Sequence, residues 1–134
     1  PKKATVTTAA TKLGQAVVLQ GAHGKFVVAN SGEIHANAKD QTTASTLNVE
    51  HNEDGTVSFK TKDGKYVVAE MNGQLNANRP KKAAWEKFQV VYNKDKTFSF
   101  KSHHGKYIVA ELDGRLNANR VHKRSWEEFK VVQA

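Results

Sequence analysis

Apolar and polar residues alternate along this chain in short runs. Val17-Val18-Leu19-Gln20, Val57-Ser58-Phe59-Lys60 and Phe98-Ser99-Phe100-Lys101 are three of them. Each is followed by a Gly-Lys pair, a β-branched run such as Tyr66-Val67-Val68-Ala69, and a turn bearing glycine. A run such as Gln74-Leu75-Asn76-Ala77-Asn78 comes next, and a fourth such as Phe88-Gln89-Val90-Val91-Tyr92 closes the unit. Runs of this length, bounded by Gly, Asn and Asp, predict strands. Helix signals are confined to single turns near residues 81–87 and 123–129.

The unit recurs. The sixteen residues from Gly64 to Arg79 return from Gly105 to Arg120 with four changes. Gly24, Gly64 and Gly105 are 40 and 41 apart; Ile34, Leu75 and Leu116 are 41 apart, as are Leu47, Phe88 and Phe129. Such a period marks a repeat architecture, in which a unit that cannot bury its own apolar face buries it against its copies. Three four-stranded copies are too few for a propeller, and a solenoid would end in atypical caps. The pattern predicts an all-β β-trefoil: twelve strands in three four-stranded repeats with pseudo-threefold symmetry. The repeats are 15–54, 55–95 and 96–134, after a partly ordered N-terminal arm over 1–14. The predicted core is Leu19, Phe59 and Phe100; Val27, Val67 and Ile108; Ile34, Leu75 and Leu116; and Leu47, Phe88 and Phe129.

The hairpin between the second and third strands fixes its own register. Copies two and three have three-residue turns, Met71-Asn72-Gly73 and Leu112-Asp113-Gly114, whereas copy one has only Ser31-Gly32. A type I turn with left-handed glycine sets Ala69 opposite Leu75, and a two-residue primed turn sets Ala29 opposite Ile34. Any other pairing would turn a side-chain face over between copies. Val67, Ala69, Leu75 and Ala77 then share the core face, with Tyr66, Val68 and Asn78 on the other.

Composition narrows the function. The 134 residues carry no cysteine, which removes thiol chemistry and disulfides and fits a cytoplasmic location. No apolar run is long enough for a transmembrane segment or a secretory signal, though a signal removed earlier is left open. No nucleophile elbow, phosphate loop or zinc helix is present. Glu70 and Glu111 are copies of one position rather than a catalytic pair. The chain reads as non-enzymatic, without cofactor or metal.

The net charge of +8 suits an acidic partner. It is uneven: residues 14–54 net −3, whereas 55–95 and 96–134 each net +4. The excess gathers at Arg79-Pro80-Lys81-Lys82 and Arg120-Val121-His122-Lys123-Arg124, between the third and fourth strands. Copy one has Ala38-Lys39-Asp40-Gln41 there. Since one copy does without these charges, the fold does not need them, and Arg79, Lys81, Lys82, Arg120, Lys123 and Arg124 become the candidate binding residues. Asn78, Arg79, Trp85 and Glu86, repeated at Asn119, Arg120, Trp126 and Glu127, read either as a ligand pocket or as structure. Repetition in step with the fold favours structure: Asn capping the strand, Arg pairing with Glu, and Trp plugging the base of the barrel. His23 and His104, at equivalent turns where copy two has Asp63, read as exposed loop histidines.

The segments Gly64–Val91 and Gly105–Val132, with GKYVVAE or GKYIVAE, then ANR, then WE and a closing VV, resemble the fascin-like, actin-crosslinking β-trefoil family. The first copy departs from the signature at Ala38, Ala44 and Ser45. More distantly the chain is similar to the hisactophilins, with far fewer histidines. The resemblance implies binding to the actin filament, cytoskeletal association, and bundling only for a dimer or a two-sited protein, since one domain supplies one site. A monomer or weak dimer is expected. A glycan stacking on Tyr66, Tyr107 or Phe26 is the alternative partner, although no QxW lectin repeat is present; nucleic acid or anionic lipid comes after it.

Overall fold

The alternating runs become twelve strands. The computed structural model describes residues 8–134. The strands are β1 (Ala16–Gln20), β2 (Phe26–Asn30), β3 (Glu33–Ala38), β4 (Leu47–His51), β5 (Val57–Lys60), β6 (Tyr66–Ala69), β7 (Leu75–Arg79), β8 (Gln89–Tyr92), β9 (Phe98–Lys101), β10 (Tyr107–Ala110), β11 (Leu116–Arg120) and β12 (Lys130–Gln133). The two single turns foreseen near 81–87 and 123–129 are 3₁₀ turns at Ala84–Glu86 and Ser125–Glu127, and a third lies at Gln41–Thr43.

Seven strands close on themselves in the order β1-β2-β3-β7-β6-β5-β4, with β4 returning to β1, and β12 adds to β1. The other four form a sheet in the order β11-β10-β9-β8. Bridges join the two at Val57 with Phe88, Phe98 with Phe129, Gln74 with Asn117, and His35 with Arg115. Closing the sheet removes the edges that would otherwise recruit another chain. This all-β architecture is consistent with a β-trefoil. Of the arm expected over 1–14, residues 1–7 lie outside the described residues. Residues 8–11 form one helical turn, α1 (Thr8–Thr11), which packs against β8, and Ala10 and Leu13 are buried.

The hairpin registers are those the turn lengths require: Ala69 pairs with Leu75, Ala110 with Leu116, and Ala29 with Ile34. Gly73 and Gly114 sit at φ 94° and 95°, and Ser31 and Gly32 both have positive φ, as a primed two-residue turn demands. Each hairpin also leans on a neighbour. The amides of Ala36, Ala77 and Ala118 donate to the carbonyls of Gly114, Gly32 and Gly73 (2.7, 2.9 and 2.7 Å). A side chain at Gly73 or Gly114 would meet the Cβ of Asn119 or Asn37 at 2.9–3.0 Å, so these glycines are also spacers.

All twelve predicted core side chains are buried. Phe59 and Phe100 meet edge to face at 5.3 Å, and the pairs Phe59–Phe88 and Phe100–Phe129 each lie at 6.1 Å and 46°. The space left among them is about 20 Å³, too small to matter as a ligand site. The other hairpin face is covered as well: Tyr66, Val68 and Val109 are buried because the 3₁₀ turns at Ala84–Glu86 and Ser125–Glu127 pack over β6 and β10.

Candidate functional site

The charged connections begin at a β-bulge. Tyr66 pairs with Arg79 while Val68 pairs with Asn76, and Tyr107 pairs with Arg120 while Ile108 pairs with Ala118. Asn119 is thus the extra residue of its bulge, and it does not cap the strand as the sequence suggested. The bulge turns each arginine back along its own hairpin. Arg79 Nη2 donates to Glu70 Oε1 (2.7 Å) and Nη1 to Asn78 Oδ1 (2.6 Å); Arg120 repeats this with Glu111 (2.8 Å) and Asn119 (2.7 Å). The acid beside the tryptophan is therefore not the arginine's main partner, which corrects the expected pairing. Buried Glu86 instead accepts from the Ala83 amide, and buried Glu127 from the Arg124 amide, each at 2.7 Å. A carboxylate is the strongest acceptor available for an amide at the start of a turn. Glu127 also stands 4.0 Å from Arg120.

The lysines divide. Lys82 reaches back to the preceding unit, where its Nζ donates to Glu50 Oε1 and Asn52 Oδ1, both at 2.8 Å. Lys123 does the same to Asn93 Oδ1 (2.6 Å). Asn52 and Asn93 are themselves tied to Thr56 and Ser58, and to Thr97 and Ser99. The Lys82 hydrogen bond holds the Glu50 carboxyl below its ordinary value, with help from the Tyr66 hydroxyl, while burial and Glu50 push the Tyr66 phenol up. Lys81 and Arg124 are different: both are exposed, and neither side chain has a hydrogen bond or ion pair among the described residues. Of the six candidates, four are tied into the fold and two are free. Two of the three aromatic faces considered for a glycan, Tyr66 and Tyr107, are covered. Lys60 lies over Tyr66 at 5.3 Å, and Lys101 over Tyr107 at 5.4 Å.

The tryptophans do not plug the barrel; the phenylalanines fill it, and Trp126 is 37% exposed. Each tryptophan meets a histidine of the next unit edge to face, Trp85 with His104 at 4.8 Å and Trp126 with His23 at 4.5 Å. His104 Nε2 donates to the Ala69 carbonyl (3.0 Å) and His23 Nε2 to the Ala110 carbonyl (3.1 Å). A carbonyl can only accept, so Nε2 carries the proton in both. These histidines are half-buried clasps between units and not the exposed loop residues expected. The sequence carried a signal for them: copy one lacks the tryptophan (Ala44), and copy two, which follows it, lacks the histidine (Asp63).

A groove of about 410 Å³ opens in the third connection, lined by Val121, His122, Arg124 and Trp126 among others. The corresponding positions of the second connection are Pro80, Lys81, Ala83 and Trp85. Among the described residues no three His, Asp or Glu side chains gather as a metal site would require, and no helix is long and apolar enough to cross a membrane. The site therefore offers exposed cations on a stiff frame: chemistry for recognising acidic groups. No curated protein matches the chain. The Fascin domain model matches residues 22–131, which spans both charged connections and the clasps. Over most of its length, then, this chain belongs to the Fascin domain family.

Proposed function

We propose that this chain is a non-enzymatic, actin-filament-binding cytoskeletal protein. Its single pseudo-threefold trefoil, with repeats 15–54, 55–95 and 96–134, would present the basic face of repeats two and three to the acidic filament. The observation that carries this reading is the free pair Lys81 and Arg124. They stand in matching connections whose other cations are all occupied within the fold. Arg79, Arg120, Lys82 and Lys123 add positive potential and hold the loops, while Lys81 and Arg124 are available for contact. Family membership supports the partner, and the charge supports its acidity. Placement in the cytoplasm with the cytoskeleton follows from the partner. One such face decorates a filament, and bundling takes a second site, supplied for instance by self-association.

Cosedimentation with actin filaments at low and moderate salt tests this. Micromolar protein pellets with filaments at low salt, and the bound fraction falls as salt screens the exposed charges. Protein that stays in the supernatant at both salt concentrations would contradict it.

A further inference from the structure

The groove beside Trp126 has features that electrostatic attraction alone does not require. We propose that it is an anchor site for an acidic protein segment carrying one large apolar side chain, with Arg124 and His122 meeting the acids. The apolar group would enter between Val121 and Trp126. This inference rests on the reading that the partner is an acidic protein surface, and it names where that surface docks.

Three observations carry it. First, apolar groups are exposed: Val121 is 63% exposed and Trp126, despite its contact with His23, is 37% exposed, on a chain otherwise rich in surface charge. The hairpin turn bearing Met71, itself 70% exposed, adjoins the same strand end, because Gly73 lies against Asn119, two residues before Val121. Second, the walls are fixed before any partner arrives. His23 holds the Trp126 ring, Glu127 holds the Arg124 amide, and Arg120 is gripped by Glu111 with Glu127 beside it. A site whose walls are already ordered loses little freedom on binding, and Trp with Arg in a pocket is the composition of interface hot spots. Third, the charge is complementary to only one sign of partner. Glu127, which lines the groove, stands 4.0 Å from Arg120 and accepts from the Arg124 amide, and Glu111 is paired with Arg120, whereas the Arg124 guanidinium has no partner among the described residues. The second connection has Pro80 for Val121 and Ala83 for Arg124, and its free cation, Lys81, stands at the place of His122. The surface is thus one-sided within a repeated fold.

The test is an NMR titration of the full isotopically labelled chain with a blocked peptide, Asp-Glu-Phe-Glu-Asp, beside the same peptide with Ser for Phe. The proposal predicts shifts centred on residues 120–127 and on the Trp126 indole. The Ser peptide binds more weakly, and Arg124→Ala weakens the Phe peptide about tenfold, a typical loss for a hot-spot arginine. Val121→Ser, at an exposed position, weakens the Phe peptide but not the Ser peptide and leaves the melting curve unchanged; Lys81→Ala changes little. Equal shifts at all basic loops, equal affinity for the two peptides, or no binding at millimolar peptide would overturn it. So would a short single-stranded RNA that gives the same shifts at lower concentration. Filament pelleting is scored separately. A chain that binds the peptide as described but never pellets with filaments keeps the groove and loses the proposed filament.

Discussion

The second and third connections, Arg79 to Glu86 and Arg120 to Glu127, share a frame and differ in what they leave free. In both, a bulge returns the arginine to its hairpin, a buried glutamate staples the 3₁₀ turn, a lysine reaches back to an asparagine, and a tryptophan meets a histidine. Where they part, the second spends Lys82 on Glu50 as well and presents Lys81, while the third presents Arg124 beside Val121 and a groove. A residue repeated in both connections can serve the fold, and a residue present in only one is free to serve something else. The first connection lacks the glutamate staple and is tied to its own hairpin instead. Ser45, in the glutamate's place, accepts from the Ala29 amide at 2.8 Å.

The largest effects should come from the shared frame and be equal in the two loops. Glu86→Ala and Glu127→Ala each remove a buried carboxylate to which a part-buried turn amide donates. Each should cost about 2 kcal/mol in denaturant melts. A loss confined to one loop would break the equivalence. The clasps come next. His104→Ala and His23→Ala should each cost about 1 kcal/mol, the worth of an aromatic contact plus part of a hydrogen bond, and only His23→Ala, which frees the Trp126 wall of the groove, should also weaken filament binding.

The bonds peculiar to one loop are weaker. The folded state holds the Glu50 carboxyl below its ordinary value, so it binds that proton less tightly than the unfolded chain does. The stabilisation is therefore complete at neutral pH and lost as pH falls through the lowered folded value. Because Glu50 and Lys82 are each about a third exposed, Glu50→Gln should cost about 0.5 kcal/mol at pH 7 and progressively less as acid protonates the carboxyl. The smallest effect concerns the neighbouring acids. Lys87 stands 3.8 Å from Asp54, but at the matching place Glu128 faces Asp95, and burial with that like charge pushes the Glu128 carboxyl up. Glu128→Lys should copy the second unit and raise Tm slightly at neutral pH; a lower Tm would show that the two junctions are not interchangeable.

The core and the hairpin registers were legible because period-two alternation and the position of a glycine leave one solution. Leu19, Phe59 and Phe100 could face nowhere else, and Ser31-Gly32 had to form a primed turn for Ala29 to meet Ile34. The partners of the charges were not legible. Arg79 has acids at Glu70 and Glu86, and the choice is made by a bulge that no residue type announces. The reach of Lys82 to Glu50 spans 32 residues and depends on how one unit sits beside the next. The tryptophans are spaced like core residues, and that spacing points to a plug. Only the joint absence at Ala44 and Asp63 distinguishes a clasp from a plug.

The central claim is that the two free cations make contact while the four tied ones build the loops. Filament-binding isotherms for the double variant Lys81→Ala and Arg124→Ala, with melting curves alongside, test it most directly. The account predicts an unchanged melting temperature and affinity lowered about tenfold, the loss of roughly 1.4 kcal/mol of contact. An isotherm that overlays the parent's, with the fold intact, would contradict it.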